Sequence, residues 1–227
     1  MKKIQLKKLT FLEVLHKNNS YGLIIKGLYK TKKCIIKVQC LRLGVHYNKK
    51  KNEYYDQNYN KISSELALKL HFNDSCIPNT LICCDKFYNR ESITKKDFLK
   101  EISSQLIGIR LNIAPSIYDY GILTYKDIVF GIIAMERMDM NFKDFINKYC
   151  SGNDNSAKNV KNKIIDKINI LHNYGYYHGD LQFSNIGLNI NKDKDNREIS
   201  KCVLLDWFFS NEIKSQSQIL DDLRRYK

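Results

Sequence analysis

Short apolar runs separated by polar turns predict β-strands in the first part of the chain. Strands are predicted at residues 11–15, 22–29 and 34–39, separated by the turn-like segments Lys-Asn-Asn-Ser and Lys-Thr-Lys-Lys. This arrangement predicts an antiparallel meander. Later apolar runs predict further strands at residues 117–123, 128–135, 185–190 and 202–207.

Apolar residues at three- and four-residue spacing predict two helices. The first covers residues 97–111, with Asp97 as its N-cap and Pro115 just beyond its end. The second covers residues 161–173, with Gly175 at its C-terminal stop. A β-rich half with one main helix, followed by a more helical half, predicts an α+β fold. The repeating apolar residues are Phe98, Ile102, Leu106 and Ile109 in the first helix and Ile164, Ile165, Ile168 and Leu171 in the second.

Polar stretches between these elements predict loops or insertions. Near the end of the chain, Ile219, Leu220 and Leu223 form an apolar stripe that is too short to predict a helix. The predicted loops cover residues 47–61, 151–159 and 191–200.

The chain has a formal net charge of +14, from 38 Lys and Arg against 24 Asp and Glu. Such an excess favours an anionic partner: a nucleotide, a nucleic acid, an acidic protein or a membrane surface. The abundance of Lys, Asn, Ile and Tyr also has a simpler explanation, the composition of an AT-rich genome. The sequence leaves both interpretations open.

The seven cysteines show no metal-binding pattern. None forms a Cys-x-x-Cys pair, and no histidine lies at zinc-finger spacing from them. We therefore expect reduced thiols and a cytoplasmic location. The N-terminus lacks the apolar segment of a signal peptide, and no apolar run is long enough to span a bilayer.

The segment most informative about chemistry lies between the second predicted helix and a strand. It places Asp180 and Asn185 five residues apart across a tight loop. Asp206 then ends an otherwise apolar strand, where a carboxylate is costly to bury unless it binds a cation or accepts hydrogen bonds. Lys37 also lies within an apolar strand. Phosphoryl transfer needs a carboxylate to orient a hydroxyl, oxygen ligands for Mg²⁺ and a lysine for phosphate oxygens.

These residues resemble the protein-kinase-like superfamily. His178-Gly179-Asp180-Leu181 with Asn185 resembles the catalytic loop, and Asp206 resembles the magnesium-binding Asp. The resemblance covers about residues 11–210 and implies a bilobal fold in a single domain. It implies an N-lobe at 1–138 with an antiparallel sheet, one main helix and an insertion at about 41–96, and a truncated, mostly helical C-lobe at 139–227. The weaker matches are Ile35-Ile36-Lys37 to the ATP-binding lysine strand, Tyr21-Gly22-Leu23-Ile24 to the end of the glycine-rich loop, and Met135-Glu136-Arg137-Met138 to the hinge.

The resemblance also implies cofactors and roles, with ATP and Mg²⁺ as the cofactors. Asp180 would orient the acceptor hydroxyl, and Asn185 and Asp206 would bind Mg²⁺. Lys37 would contact the α/β-phosphates, with Glu101 as its ion-pair partner. The remaining implied residues are Glu65 as the rival to Glu101, His178 as a structural support of the loop, and Gly22, Ile24, Met135, Glu136 and Met138 at the nucleotide.

Departures from the kinase pattern narrow the resemblance. Gly179 stands where kinases have Arg, and Gln182 stands where many Ser/Thr kinases have Lys. Trp207 follows Asp206, and 21 residues remain after Asp206. These features are similar to the small kinases of the tRNA-modification complex, RIO kinases and aminoglycoside phosphotransferases. Composition and brevity also resemble large-DNA-virus kinases, which would place the protein in the host cytoplasm or the virion. Lys17 and Asn19 replace two of the three loop glycines.

The sequence therefore favours an ATP- and Mg²⁺-dependent Ser/Thr protein kinase of minimal, atypical type, with a protein as its substrate. Two alternatives remain. One is a small-molecule kinase, which Gly179 and Asp206-Trp207 favour. The other is a kinase-like binding module with little or no catalysis, which the altered glycine loop and Gln182 favour.

Overall fold

The structure, a computed structural model, describes most of the chain. The chain forms two compact units. The first unit comprises Met1–Phe98 and Ile117–Glu136, and the second comprises Leu99–Ser116 and Arg137–Lys227. Gly22, Glu65 and most of the predicted insertion lie outside the described residues. The described residues are 4, 6–16, 23–41, 46–48, 53–55, 61–62, 94–125, 128–150, 155–191, 198–224 and 226.

A five-stranded antiparallel sheet forms the first unit, in the order β1-β2-β3-β8-β7. The predicted meander is confirmed, because β1, β2 and β3 are neighbours in both sequence and space. β3 is the central strand and is longer than the sequence predicted. The strands are β1 (Leu9–His16), β2 (Leu23–Tyr29), β3 (Lys32–Leu41), β7 (Ile117–Tyr125) and β8 (Ile128–Glu136).

Alternation along β3 gives this sheet two different faces, since successive side chains of a strand point to opposite sides. Cys34, Ile36 and Val38 belong to the apolar cluster on one face. Lys37 therefore lies on the other face. The cluster is completed by Ile4, Leu9, Ile25, Phe130, Ile132 and Ala134.

A small second sheet lies in the stretch that the sequence predicted to be a loop. Its three antiparallel strands are β4 (His46–Asn48), β5 (Glu53–Tyr55) and β6 (Lys61–Ile62). The loop prediction for residues 47–61 is therefore wrong in part. The polar composition masked strands of two or three residues, which carry too little periodicity to be recognised.

The main helix, α1 (Lys95–Arg110), begins two residues earlier than predicted. Thr94 caps it, because its Oγ1 accepts from Asp97 N at 3.1 Å. Asp97 Oδ2 in turn accepts from Thr94 N at 3.3 Å, which completes a capping box. The prediction that Asp97 is the N-cap is therefore wrong by three positions.

Among the described residues of the second unit there are three further α-helices and five short strands. Asn141 caps α2, because its Oδ1 accepts from Asp144 N at 2.8 Å. The sequence did not predict α2 or α4, and α3 begins within the predicted loop at 151–159. The elements are α2 (Phe142–Tyr149), α3 (Asn155–Asn173), α4 (Gln216–Leu223), β9 (Met140–Asn141), β10 (Tyr176–Tyr177), β11 (Ile186–Ile190), β12 (Ile199–Leu204) and β13 (Asn211–Glu212). Among the described helices, none combines the length and the apolar composition needed to cross a bilayer.

The core of the second unit packs α1, α2 and α3 with the hairpin β11–β12. Phe142, Phe145, Ile164, Ile168 and Leu171 are buried there, so the predicted apolar face of α3 is confirmed. Gly175 follows α3 with φ +87°, and its N–H donates to His172 O at 2.9 Å, as expected of a helix stop. An antiparallel sheet with a few helices makes the fold α+β and compatible with a kinase-like fold.

Candidate active site

The first unit contributes Lys37 and the sheet face around it. The register of β2–β3 sets Ile24 opposite Lys37, and that of β3–β8 sets Ile133 opposite Lys37. Met135 pairs with Ile35, two positions from Lys37, so it lies on the same face. The sheet thus brings together three residues predicted for the nucleotide site: Ile24, Lys37 and Met135. The Lys37 side chain is 5% exposed, which is unusual for a lysine.

Two further residues predicted for the nucleotide site are acidic, Glu136 on the sheet and Glu101 on α1. Glu136 pairs with Cys34 across β3–β8 and therefore lies on the opposite face from Lys37. Burial, with help from Glu136 and Cys34, raises the pKa of Tyr118 on that face. Glu101 is 1% exposed on α1 and belongs to the second unit.

The predicted catalytic loop lies in the second unit, between β10 and β11. Asp180 Oδ2 accepts a hydrogen bond from Asn185 Nδ2 at 2.9 Å, and the Asp180 carbonyl accepts from the same nitrogen at 2.9 Å. Gln182 Nε2 donates to Asp180 Oδ1 at 2.7 Å. The predicted pair of Asp180 and Asn185 is therefore in direct contact, and Gln182 joins it. Because Asn185 donates through Nδ2, its Oδ1 points away from Asp180.

Asp206 is connected to this loop through the hairpin. Asn185 O accepts from Leu205 N at 2.8 Å, so the β11–β12 ladder continues to the residue before Asp206. The sequence predicted that Asp206 ends the strand. β12 in fact ends at Leu204, so Asp206 lies two residues beyond it. Its φ of 60° and ψ of 73° are left-handed, a conformation that turns the chain sharply into the 3₁₀ turn Trp207–Phe209. Met138 lies against Gly187 next to Leu205 on the same hairpin.

Gly179 has a structural reason to be glycine. Its φ is +82°, and a Cβ there would approach the Phe209 carbonyl oxygen to 2.9 Å and Phe209 Cβ to 3.1 Å. An arginine would therefore strain the backbone and displace Phe209. Local packing therefore accounts for the glycine at this position.

His178 is fully buried beneath this loop. Its ring meets Trp207 edge-on, with centroids 5.2 Å apart and planes at 63°. Burial lowers the pKa of His178 below its ordinary value, and the carboxylates of Asp222, Asp206 and Asp180 oppose that shift. The imidazole is thus kept neutral, which suits packing against an indole.

The structure adds an acidic residue that the sequence did not single out. Asp222 on α4 is 2% exposed and accepts from His178 N at 2.7 Å and Gly179 N at 3.0 Å. Its Oδ2 also contacts His172 Nε2 on α3 at 3.0 Å. Asp222 therefore fixes the backbone just before Asp180. The available signal was Ser-x-x-Gln at Ser215 and Gln218, a helix-start pattern that indicates α4.

A magnesium·nucleotide complex fits the chemistry of these donors. Mg²⁺ uses one or two protein oxygens together with waters and substrate phosphates. Asp206 supplies a carboxylate and Asn185 an amide oxygen, connected through the backbone contact of Asn185 with Leu205. Within the described ranges, no group of three or more His, Cys, Asp or Glu is arranged to hold a metal alone. Asp206 and Asn185 thus present two oxygen donors of the kind that Mg²⁺ uses together with phosphate and water ligands.

Comparisons with known proteins identify a distant relative. No protein-family model matches the chain. The chain is 27% identical over 117 residues to a probable serine/threonine-protein kinase of fowlpox virus (strain NVSL). The aligned part covers 50% of this chain and 37% of the relative, so the chain matches well under half of that protein. This similarity supports a distant kinase-like relationship, and with it kinase function at a coarse level.

Proposed function

We propose that this chain is an ATP- and Mg²⁺-dependent phosphotransferase that transfers the γ-phosphoryl group to a serine or threonine hydroxyl of a protein. The observation that carries the proposal is the contact of Asp180 with Asn185 at 2.9 Å, on a loop whose backbone continues through Leu205 to Asp206. It groups an orienting carboxylate with two oxygen donors of the kind that hold Mg²⁺.

Each residue has a role in this proposal. Asp180 orients the acceptor hydroxyl and accepts its proton, while Asn185 Oδ1 and the Asp206 carboxylate bind the Mg²⁺ that accompanies ATP. In this proposal Lys37 binds the α/β-phosphates, and Glu101 is the carboxylate that would neutralise it, as the resemblance to kinases implies. Bound ATP·Mg²⁺ supplies the phosphoryl group, and the protein supplies position and charge. Ile24 and Met135, on the same sheet face as Lys37, and Met138 further contact the nucleotide in this proposal. Glu136 lies on the opposite sheet face and is left out of it, and Gly22, outside the described residues, stays a prediction from the sequence.

Measurement of γ-phosphoryl transfer tests the proposal. Wild type and Asp180→Ala are incubated with labelled ATP·Mg²⁺ and a panel of protein and small-molecule acceptors. We expect transfer to a protein, lowered about 10²–10⁴-fold in Asp180→Ala because proton transfer and hydroxyl orientation are lost. Asp221→Ala, a change of an exposed carboxylate on α4, should retain activity. Equal rates in wild type and Asp180→Ala would reject the role of Asp180, and transfer only to small alcohols would favour the small-molecule kinase.

One observation favours a second function, a nucleotide-binding module with little catalysis. Gln182 Nε2 holds Asp180 Oδ1 at 2.7 Å, where an acceptor hydroxyl would have to approach. If this contact persists with substrate, Asp180 is a poor base. Gln182→Ala would then raise phosphoryl transfer, whereas an active kinase would show unchanged or lower transfer.

A further inference from the structure

A cavity of about 320 Å³ opens on the second unit, formed by residues other than the candidate catalytic ones. It lies among α3, β12 and the segment after α1. Its lining is strongly basic for its size. The residues that matter here are Lys163, Lys167, Lys201, Asp166, Asn112 and Ile170.

Two of these lysines are held in place by backbone carbonyls. Lys163 and Lys167 are one helical turn apart on α3 and therefore lie side by side. Lys163 Nζ donates to Ile199 O at 2.9 Å, and Lys167 Nζ donates to Asn112 O at 3.1 Å. An ammonium has three donors, so each retains two. In the part of the chain that the structure describes, neither forms a salt bridge with a carboxylate.

Two of the lysine ammonium groups act on the same residue of the cavity lining, Cys202. Burial raises the pKa of the Cys202 thiol to about 11, and Lys167 and Lys163 are the two charges that oppose this rise. Both ammonium groups therefore act on one point of the lining. Three lysines against Asp166 leave a net charge of +2 around the cavity. A phosphomonoester carries roughly −1.5 to −2 charges near neutral pH and has three acceptor oxygens.

The cavity also has an apolar side. Ile170 is 39% exposed and lines the cavity one turn after Asp166 on α3. A ligand with an apolar group and a dianion could contact Ile170 with the first and the lysines with the second. Free phosphate would contact only the lysines.

We propose that this cavity binds a phosphomonoester attached to an apolar neighbourhood, such as a phosphorylated serine or threonine side chain of a peptide. The ammonium groups of Lys163 and Lys167 donate to the phosphate oxygens, and Ile170 contacts the adjoining residue. Lysine binds phosphate as a point charge, so it does not need a rigid fork geometry. The proposal concerns binding and is independent of phosphoryl transfer at Asp180.

The test uses a fluorescently labelled peptide with one phosphoserine flanked by leucines, and anisotropy as the readout of affinity. Lys163→Gln/Lys167→Gln should weaken binding about tenfold or more, since two charge-assisted contacts are lost. Lys158→Gln is the matched control: it makes the same charge change on the same helix, about 140° and 180° around the axis from the two lysines. It should change affinity less than about twofold, within the screening of an exposed charge.

Further arms separate the sources of the phosphate and guard against misfolding. Inorganic phosphate should displace the peptide while binding more weakly, and the unphosphorylated peptide should not bind. Lys163→Arg/Lys167→Arg keeps the charge and should retain most binding, which shows that the lysine positions tolerate substitution. Equal affinity of wild type and the double glutamine variant, equal binding of the unphosphorylated peptide, or inorganic phosphate binding as tightly as the peptide would overturn the proposal. Phosphoryl transfer is assayed separately, so that either proposal can fail alone.

Discussion

Asp222 accepts hydrogen bonds from His172 Nε2 and from the backbone N–H groups of His178 and Gly179. We expect Asp222→Asn to lower the free energy of unfolding by about 3 kcal/mol, because an amide turns its own N–H toward one of these buried donors. It should also lower phosphoryl transfer, since the backbone before Asp180 loses its anchor. Urea unfolding and γ-phosphoryl transfer measure the two effects.

Asp221→Asn serves as the control for this change. Asp221 is adjacent on α4 and exposed, so its free energy of unfolding should change by less than about 0.5 kcal/mol. Comparable losses in the two variants would show that Asp222 acts only through the charge of α4 and not through its contacts with the loop.

His178 predicts a pH dependence of stability. Burial lowers its pKa in the folded protein below the value of 6.5 that it has when exposed, with Asp222, Asp206 and Asp180 opposing. Between those two pKa values the unfolded chain binds more protons than the folded one, so stability falls as the pH falls below about 6.5, by at most about 1.4 kcal/mol per pH unit. Above that pH His178 contributes no slope.

His178→Phe isolates this contribution, because it keeps a ring against Trp207 and removes the titrating group. The difference in free energy of unfolding between wild type and His178→Phe, measured from pH 7.5 to 5, should change in favour of the variant on acidification. A difference that stays constant over this range would show that His178 titrates alike in both states.

At the scale of elements, α1 packs closely on the residue that follows Asp206. A Cβ at Gly108 would approach Trp207 Cη2 to 2.6 Å and Ala114 Cβ to 2.8 Å. Gly108→Ala should gain up to about 1 kcal/mol of helix propensity but lose more to overpacking, which typically costs about 1–3 kcal/mol. We therefore expect a net loss of stability, measured by urea unfolding.

A double-mutant cycle tests whether Trp207 is the cause. Trp207→Phe shortens the ring, so Gly108→Ala/Trp207→Phe should cost less than the sum of the two single changes. Ser103→Ala, on the exposed side of α1, is the control for the helix itself. Additive costs in the cycle would locate the strain at Ala114 and not at the indole.

Elements differ in how far the sequence predicts them. Helix α3 and the strands β1–β3, β7 and β8 follow from apolar periodicity, because each buries one regular face. The predicted start of α1 was wrong because Thr94 and Asp97 each accept a hydrogen bond from the other's backbone N–H. From the sequence alone, either residue could be taken as the N-cap. Helix α4 was missed because its buried face includes Asp222, a charged residue whose partners come from distant positions.

In the candidate site, too, the sequence predicted some features and missed others. The spacing of Asp180 and Asn185 was enough to predict their contact, since both lie on one short loop. The role of Asp222 was not predictable, because it depends on how α4 packs 42 positions after Asp180 in the sequence. The left-handed turn at Asp206 also escaped prediction, since Asp is not a residue that demands positive φ.

For the whole molecule, the structure shows where part of the net charge of +14 is located. Part of it is concentrated at Lys163, Lys167 and Lys201 around one cavity, with Asp166 as the opposing charge. Lys37 is different, because it lies buried in a sheet and away from solvent. Compositional bias supplies lysines in general, but it does not explain ammonium groups that are fixed on backbone carbonyls.

Ligand-linked stability of the whole protein tests the nucleotide proposal without an assumed acceptor. A ligand that binds only the folded protein stabilises it by about 2.7 kcal/mol at 100 times its Kd, which corresponds to roughly 5–10 °C in Tm for a chain of this size. We expect ATP with Mg²⁺ to raise the Tm of wild type by this order, and removal of Mg²⁺ with EDTA to abolish most of the shift. Asp206→Asn is the most informative variant, because Asn is close to Asp in size and tolerates the φ of 60° at least as well. Measured from its own Tm without nucleotide, it should lose the Mg²⁺-dependent part of the shift, whereas an equal shift in both proteins would remove Asp206 from the metal site.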